Sequence, residues 1–436
     1  MKNNTNVFLF LGLFGISLNA EVLFFSKAYE LALENAHSIK ASVYQVQGTK
    51  ERIIQEESRL YPQINLSGYY KKSENSYYDA GRENLKQGLF NYGISVKQSV
   101  YNAEIYSRID IETSKNKLYN IGLELEKEEL AQTVFKAYLE VLKNNNKIKL
   151  YETYLKYSQS RLDELNKKYE MFMVSKMDLL EMQVEYKSAE IDLIKEKKIL
   201  KVNMLRLKQL IGDTEYQLPT IESDKHLVDS INEMKVNVLN KNDFSMNLAL
   251  LQSKLELKIS NYEVKNASAG HYPKLDLEGS IYAYDTDNVD VQAPYKDTKS
   301  IMLVLNLPIY SGGSISSKVR EKELTRQSVN EELLNTHKDI QVQYDEYIAL
   351  FEASVASVSM YKDAYDSSLL YVDSVEQGYE HGLKSIIDLN DAKNKQYEVK
   401  YKYIENIYEM VDSYIGLLIV TNNFESIELL DKLVEQ

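Results

Sequence analysis

The sequence carries the same long pattern of large side chains twice, about 210 residues apart. Residues 130–169 contain the first copy and residues 340–379 the second, with a polar position at Ser158 that recurs as Ser368. Apolar and aromatic residues recur at steps of three and four, averaging about 3.5, the period of a helix packed along its length against other helices. A duplicated unit of this size predicts a molecule built from two similar halves.

The first twenty residues have the features of a secretory signal. Lys2 gives a basic start, residues 7–16 form an apolar core, and small residues lead up to Ala20. That core is too short to span a bilayer, because a transmembrane helix needs about 20 apolar residues. We therefore expect cleavage after Ala20 and a mature chain in the periplasm, at the cell surface or in the outer membrane.

The composition argues against several classes of function. Cysteine is absent, which removes disulfides, thiolate metal sites and a cysteine nucleophile. The net charge is −13, or −14 without Lys2, and no basic face is evident, so we expect no nucleic-acid partner. The five histidines lack metal-ligand spacing, and no nucleophile elbow or phosphate loop occurs. We expect neither an enzyme nor a bound metal or cofactor.

Two stretches without glycine or proline, residues 123–211 and 314–377, predict very long helices. We expect one helix at about 104–170 and its repeat at about 314–380, each on the order of 100 Å long at 1.5 Å per residue. Shorter helices are expected at about 25–60, 176–211, 243–269 and 385–421. The expected divisions are a signal peptide (1–20), a first repeat (21–212), an inter-repeat equatorial segment (213–242), a second repeat (243–421) and a C-terminal tail (422–436).

Each repeat also contains a predicted β-hairpin, at about 63–100 and about 274–309. Apolar and polar residues alternate there, so that each strand of about ten residues has one apolar and one polar face, as transmembrane β-strands do. Four strands are too few to close a barrel, so several chains would have to share one, two giving eight strands and three giving twelve. The alternative is a soluble, half-buried sheet at the end of a coiled coil.

Two short motifs carry a family resemblance, together with the order of the elements. Residues 378–391 read GYEHGLKSIIDLND, and residues 307–313, between a strand and a long helix, read LPIYSGG. The chain resembles the TolC family, the outer-membrane channels of tripartite efflux pumps and type I secretion systems. The resemblance covers nearly the whole mature chain. Each motif is short and only moderately specific by itself.

The resemblance implies a mostly α fold with a small β part in the Gram-negative outer membrane. Three chains would share a 12-stranded transmembrane barrel in contact with outer-membrane lipid, and a long α-helical coiled-coil barrel would extend it into the periplasm. The tunnel end would be closed at rest by an iris-like gate. It would dock to a periplasmic adaptor (membrane fusion) protein and an inner-membrane pump.

The resemblance also implies where the gate lies. Asp388 and Asp391 match acids that line the channel constriction, and three chains would form two rings of three carboxylates. The alternative is an ordinary solvated helix face. The gate latch would use Tyr379, Lys384 and Asp178, with the Tyr379 hydroxyl bonded to the Asp178 carboxylate. Met177 stands where a hydroxyl partner for Lys384 is expected, so that latch is weaker or Lys384 pairs with Asp388 instead. Tyr379 also belongs to the repeated pattern, and packing alone would explain it.

The turns between paired helices match the family's adaptor-contact region. They contain Phe172, Met173 and Val174 in the first copy and Gly382 and Leu383 in the second. Phe172 departs from the family, in which glycine is common at this place. The favoured function is therefore a passive export channel, energised by its inner-membrane partner. The competing hypothesis is a non-transporting periplasmic or surface coiled-coil protein with a structural or adhesive role.

Overall fold

A computed structural model describes residues 22–75, 85–213, 216–219, 230–235, 244–286, 296–423 and 428–432. The expected signal sequence, residues 1–20, lies outside the described residues, as does most of the expected inter-repeat segment. The first repeat contains α1 (Phe25–Asn35), α2 (His37–Glu57), β1 (Gln63–Asn75), β2 (Leu85–Asn102), α3 (Ala103–Glu170) and α4 (Lys176–Ile211). The second contains α5 (Leu248–Ser268), β3 (Lys274–Thr286), β4 (Asp297–Asn306), α6 (Ser314–Glu380) and α7 (Ile386–Val420), followed by α8 (Glu428–Lys432).

The two longest helices dominate the molecule. Helix α3 has 68 residues and α6 has 67, close to the expected lengths, so each is on the order of 100 Å long. The side chain of Asn102 starts α3 by accepting a hydrogen bond from the amide of Glu104 at 3.1 Å. Within the described ranges, no helix combines the length and the hydropathy needed to cross a membrane.

The helix expected over residues 25–60 is interrupted. It breaks at Ala36, whose ψ of 106° lies outside the helical range. At the break, Asn35 lies beside Gly212: a Cβ added to Gly212 would lie 2.7 Å from the side-chain nitrogen of Asn35. No glycine or proline marks this break. The proximity of Asn35 to Gly212 joins the two ends of the first repeat, which sequence periodicity does not reveal.

Helix α3 lies in the centre of the bundle along its whole length. At the end near the sheet, α3 packs between α2 and α5, and α6 packs on α5. At the other end, α4 packs on α3, α3 on α7, and α7 on α6. The shorter helices therefore run beside the long ones, α2 and α4 along α3, and α5 and α7 along α6.

The duplicated pattern forms much of the core. Its buried members in the two copies are Val134, Tyr138, Val141, Ile148 and Leu165, and Ile340, Tyr344, Phe351, Val358, Val372 and Val375. The polar positions Ser158 and Ser368 are buried as well. Among the residues of the duplicated pattern, Tyr169 stands out as exposed. Its exposed fraction is 37%, because it lies in the last turn of α3.

The four strands form one antiparallel sheet in the order β1-β2-β3-β4. Ile64 pairs with Val96, Val96 with Gly279, and Gly279 with Ile301, which places apolar side chains on one face. The next row on the other face contains Asn65, Ser95, Ser280 and Ser300. Strands β1, β2 and β3 are longer than expected, at 13, 18 and 13 residues. In the described part of the chain, β1 and β4 each pair on one side only.

Candidate functional site

The turns far from the sheet are built from one motif used twice. Ser175 caps α4 and Ser385 caps α7, and each hydroxyl accepts the amide of an aspartate three residues later, at 3.1 Å. Each aspartate also accepts a hydrogen bond from its serine. Oδ2 of Asp178 accepts one from the Ser175 backbone amide at 3.0 Å, and Oδ2 of Asp388 accepts one from the Ser385 backbone amide at 2.8 Å. These are capping boxes, and they fix the start of both returning helices.

The two aspartates proposed for the constriction lie at the start of α7. The backbone and hydroxyl hydrogen bonds from Ser385 hold the pKa of Asp388 below its ordinary value, so this carboxylate is charged at neutral pH. Lys384 lies 3.9 Å from the other carboxylate oxygen of Asp388, the pairing that the sequence left open. Asp391 follows three residues later on the same helix side and is exposed.

The preceding helices end in matching turns. The Met173 amide donates a hydrogen bond to the Lys168 carbonyl at 2.8 Å. The Leu383 amide donates one to the Gly378 carbonyl at 2.7 Å. Both turns need a residue in the left-handed region, Phe172 with φ of 56° in the first and Gly382 with φ of 72° in the second. Glycine adopts this conformation without a steric cost, whereas the Cβ of phenylalanine makes it unfavourable.

Most of the apolar side chains at these turns point into solvent. Phe172 is 96% exposed, and Met173 and Leu383 are also exposed. Val174 is different, because it packs against a small core of residues from both repeats. The buried members of that core are Leu165, Leu179, Met182, Val372, Val375, Ile386, Leu389 and Ala392. The tips therefore combine a fixed backbone with exposed apolar groups.

An ion-pair network joins the two repeats just above the tips. Arg161 of α3 donates to the Glu376 carboxylate of α6 at 2.5 Å, and Lys393 of α7 lies 3.6 Å from the same carboxylate. Arg161 also pairs with Glu164 at 2.7 Å. Partial burial would raise the pKa of Glu164, but hydrogen bonds from Lys168 and Arg161 outweigh it and lower that pKa. Three helices are thus linked through one carboxylate.

Tyr379 takes part in a second link between the repeats. Its hydroxyl accepts a hydrogen bond from Nζ of Lys168 at 3.2 Å, and Lys168 also pairs with Glu164 at 2.7 Å. Asp178, which the family resemblance pairs with Tyr379, instead forms hydrogen bonds with Ser175. The structure therefore links Tyr379 to α3 through Lys168, and it places Asp178 in the first turn of α4 and Lys384 in the turn between α6 and α7.

Sequence reasoning missed Arg161, Lys168, Glu376 and Lys393. A signal was present, because Arg161 precedes Leu162 and Glu376 follows Val375, both positions of the repeated pattern. A charge beside a packed position lies at the margin of a helix interface, where it reaches the neighbouring helix. The pairing itself joins residues 215 apart in the chain, which sequence spacing does not reveal.

Comparisons with known proteins agree with this geometry. Residues 28–213 and 244–423 match the family described as outer membrane efflux protein. The outer membrane protein TolC of Escherichia coli (strain K12) is 22% identical over 423 residues, covering 93% of this chain and 85% of that protein. The proteases secretion protein PrtF of Dickeya chrysanthemi is 20% identical over 412 residues, covering 92% of this chain and 88% of that protein. A CusC crystal structure, 15% identical, covers 91% of each chain with a TM-score of 0.77 and shares the fold.

The matched turns give a test of backbone strain. Phe172→Gly should raise the free energy of unfolding by roughly 1 kcal/mol, because it removes the cost of a Cβ in the left-handed region. Gly382→Ala should lower it by a similar amount for the opposite reason. Denaturant unfolding in detergent measures both. A loss of stability in Phe172→Gly would show that the phenylalanine ring makes contacts that outweigh the strain.

Proposed function

This chain belongs to the outer membrane efflux protein family, and we propose that three copies of it form one passive channel. The channel crosses the outer membrane and continues into the periplasm as a helical tunnel. It serves efflux or type I secretion. The family description supports efflux, and PrtF, a relative named for the secretion of proteases, supports secretion.

The observation that carries this proposal is the four-stranded sheet. One face is apolar, the other is polar, and the apolar face is exposed at Ile64, Leu66 and Ile301. A lipid-facing sheet must have no open edge, because hydrocarbon offers no hydrogen-bond partner to the backbone. Strands β1 and β4 are such edges, and pairing β4 of one copy with β1 of the next closes the sheet. Three copies give twelve strands.

The acidic pair at the start of α7 suits a constriction. Three-fold symmetry turns Asp388 and Asp391 into two rings of carboxylates, and such rings attract cations and repel anions in a narrow pore. In the single chain, hydrogen bonds from Ser385 lower the pKa of Asp388, which favours the charged form of this carboxylate. The capping box supports this role because it fixes the carboxylate in place.

The contacts between repeats suit a gate. Tyr379 with Lys168, and Glu376 with Arg161 and Lys393, hold α6 and α7 against α3 just above the constriction. We assign Lys384 and Asp178 a part in the same gate, through the turns that they stabilise. Opening the tunnel then requires these links to break while the small core around Leu389 shears.

The tips suit a periplasmic partner. Phe172, Met173 and Leu383 expose apolar side chains on fixed turns, and Gly382 and Val174 complete the two turns. A large exposed apolar group at the end of a long bundle is typical of a protein contact site. We propose that an adaptor protein binds here and connects the channel to an inner-membrane pump, which supplies the energy.

Recording in planar bilayers, together with mass determination in detergent, tests this function. Purified protein should have the mass of three chains and should produce discrete conductance steps. The reason is that only a closed barrel of several chains satisfies the strand edges within lipid. A monomer that stays in solution without detergent and shows no conductance would instead support a non-transporting coiled-coil protein.

The same recordings test whether Asp388 and Asp391, rather than other acids of the chain, determine the ion selectivity. Asp388→Asn with Asp391→Asn should lower the cation preference, and the side-chain oxygen of an asparagine at position 388 can still accept the Ser385 amide of the capping box. The matched control is Glu181→Gln, which removes the first-repeat acid equivalent to Asp391 and leaves the gate residue Asp178 in place. Equal selectivity changes in both variants would show that the acids of α7 have no special effect on ion selectivity.

The gate predicts a second effect on conductance. Glu376→Gln with Tyr379→Phe should raise the resting conductance, because Arg161 and Lys393 lose their carboxylate and Lys168 loses a hydroxyl acceptor. Glu398→Gln is the control, since Glu398 pairs with Lys402 inside α7. If the control raises the conductance as much as the double variant, the links between repeats do not form the gate.

A further inference from the structure

A groove crosses the apolar face of the four-stranded sheet at Gly279. Apart from its chain neighbours, a Cβ added to Gly279 would have one atom within 4 Å, the carbonyl oxygen of Ser300 at 3.9 Å. The gap has a volume of about 580 Å³. Its walls are apolar side chains of β2, β3 and β4, namely Ile94, Val96, Ile281 and Ile301. We call it the Gly279 groove.

One charged side chain, that of Lys299, lines the same groove. Lys299 pairs with Ile281, and the row continues through Ile94 and Leu66, so it lies on the apolar face of the sheet. Among the described residues it has no ion-pair partner, and Asp297, two positions along the same face, does not pair with it. An unpaired cation on a lipid-facing sheet is unfavourable, because hydrocarbon does not solvate charge. An anionic partner from outside the chain would remove this cost.

The proposed orientation of the channel places Lys299 near the outer surface of the membrane. Strand β1 ends and β2 begins at the end of the sheet opposite the long helices, which extend into the periplasm. Exposed aromatic side chains mark that outer end of the apolar face, as the girdles of membrane barrels do; they are Tyr70, Phe90 and Tyr92. Tyr92 lies one row beyond Lys299, about 7 Å along the strands. A lysine at this depth extends its ammonium group to the level of the lipid headgroups.

The groove lies on the membrane side of Lys299. Gly279 pairs with Ile301, so the gap is one row nearer the periplasm than Lys299. The next row in that direction carries Leu277 and Leu303. A cation at the headgroup level is thus followed by an apolar groove that points to the centre of the membrane. This order of groups fits a molecule with an anionic head and an acyl chain.

We propose that the Gly279 groove binds an acyl chain of a phosphorylated glycolipid of the outer leaflet, and that Lys299 contacts the phosphate of this lipid. The inference rests on the proposed channel, which places this face in lipid and this end of the sheet at the outer surface. Charge complementarity selects an anionic head, and the position of Lys299 selects the outer leaflet, where phosphorylated glycolipids predominate in Gram-negative bacteria. Three copies give three such sites on one channel.

Native mass spectrometry of the purified trimer, titrated with lipid A in detergent, tests this site. Lipid A is the probe because it carries phosphates and acyl chains on a sugar backbone. Up to three molecules should bind to one trimer. Lys299→Gln should weaken this binding about fivefold, the effect of one cationic side chain beside an anionic headgroup. Lys71→Gln, on the polar face of β1, is the matched control and should leave the binding unchanged.

Lipid A without its phosphates separates the head from the acyl chains. It should bind the unaltered protein about fivefold less tightly than lipid A, because Lys299 then lacks its partner. Lys299→Gln should not weaken the binding of this phosphate-free lipid any further. If Lys299→Gln weakens the binding of both lipids equally, or of neither, Lys299 does not contact the phosphate and the proposal is wrong.

Gly279→Leu tests the groove itself. The leucine side chain fills the gap, and its Cβ has room, so binding of both lipids should weaken while the sheet is kept. Gly68→Leu is the control, because Gly68 lies on the same face outside the groove and an added Cβ there would have its nearest contacts at 3.5 Å. Unchanged binding in Gly279→Leu, or an equal loss in Gly68→Leu, would contradict an acyl chain in the Gly279 groove.

Extraction of the trimer from outer membranes identifies the natural occupant. Lipopolysaccharide should copurify with the unaltered protein and should be depleted in Lys299→Gln. A phospholipid in its place, depleted by the same change, would overturn the assignment to the outer leaflet. Mass and conductance are measured for every variant. A conducting trimer that binds no lipid A would overturn the lipid site and leave the channel standing, whereas a monomeric mass for the unaltered protein would overturn both.

Discussion

The open edges of the four-stranded sheet are the constraint on which the rest of the molecule depends. A sheet that meets lipid must satisfy every backbone amide and carbonyl, so β1 and β4 require strands from other copies. Helix α3 begins at Ala103, directly after β2 ends at Asn102. The position of β2 in the sheet therefore fixes where α3 begins. A sheet that closes into a barrel thus also arranges the long helices in a closed ring, which forms the tunnel.

The two repeats share a framework but differ where function is proposed. Both use a serine-aspartate capping box and a left-handed residue to make the tip. The first copy then places Phe172 where the second has Gly382, and the second copy supplies the acidic helix α6. Duplication gives six equivalent hairpins around the tunnel. We propose that the differences between copies decide which carboxylates line the pore.

Much of the fold could be predicted because it follows from local patterns. The repeated apolar pattern identified core residues such as Val134 and Phe351, and alternation identified four strands with two unlike faces. The break at Ala36 could not be predicted, because no glycine or proline marks it in the sequence. The sites show the same division. The role of Asp388 at the constriction was predicted from a motif and stays a prediction, whereas the link between Arg161 and Glu376 appears only when the helices are assembled.

Labelling of alternate strand positions tests the central claim most directly. Cysteine would be placed singly at Ile64, Asn65, Leu66 and Ser67 of β1 in the cysteine-free chain and exposed to a water-soluble maleimide in membranes. Positions 65 and 67 should react and positions 64 and 66 should be protected, because the sheet has water on one face and lipid on the other. Equal reaction at all four positions would place both faces in water and contradict the channel.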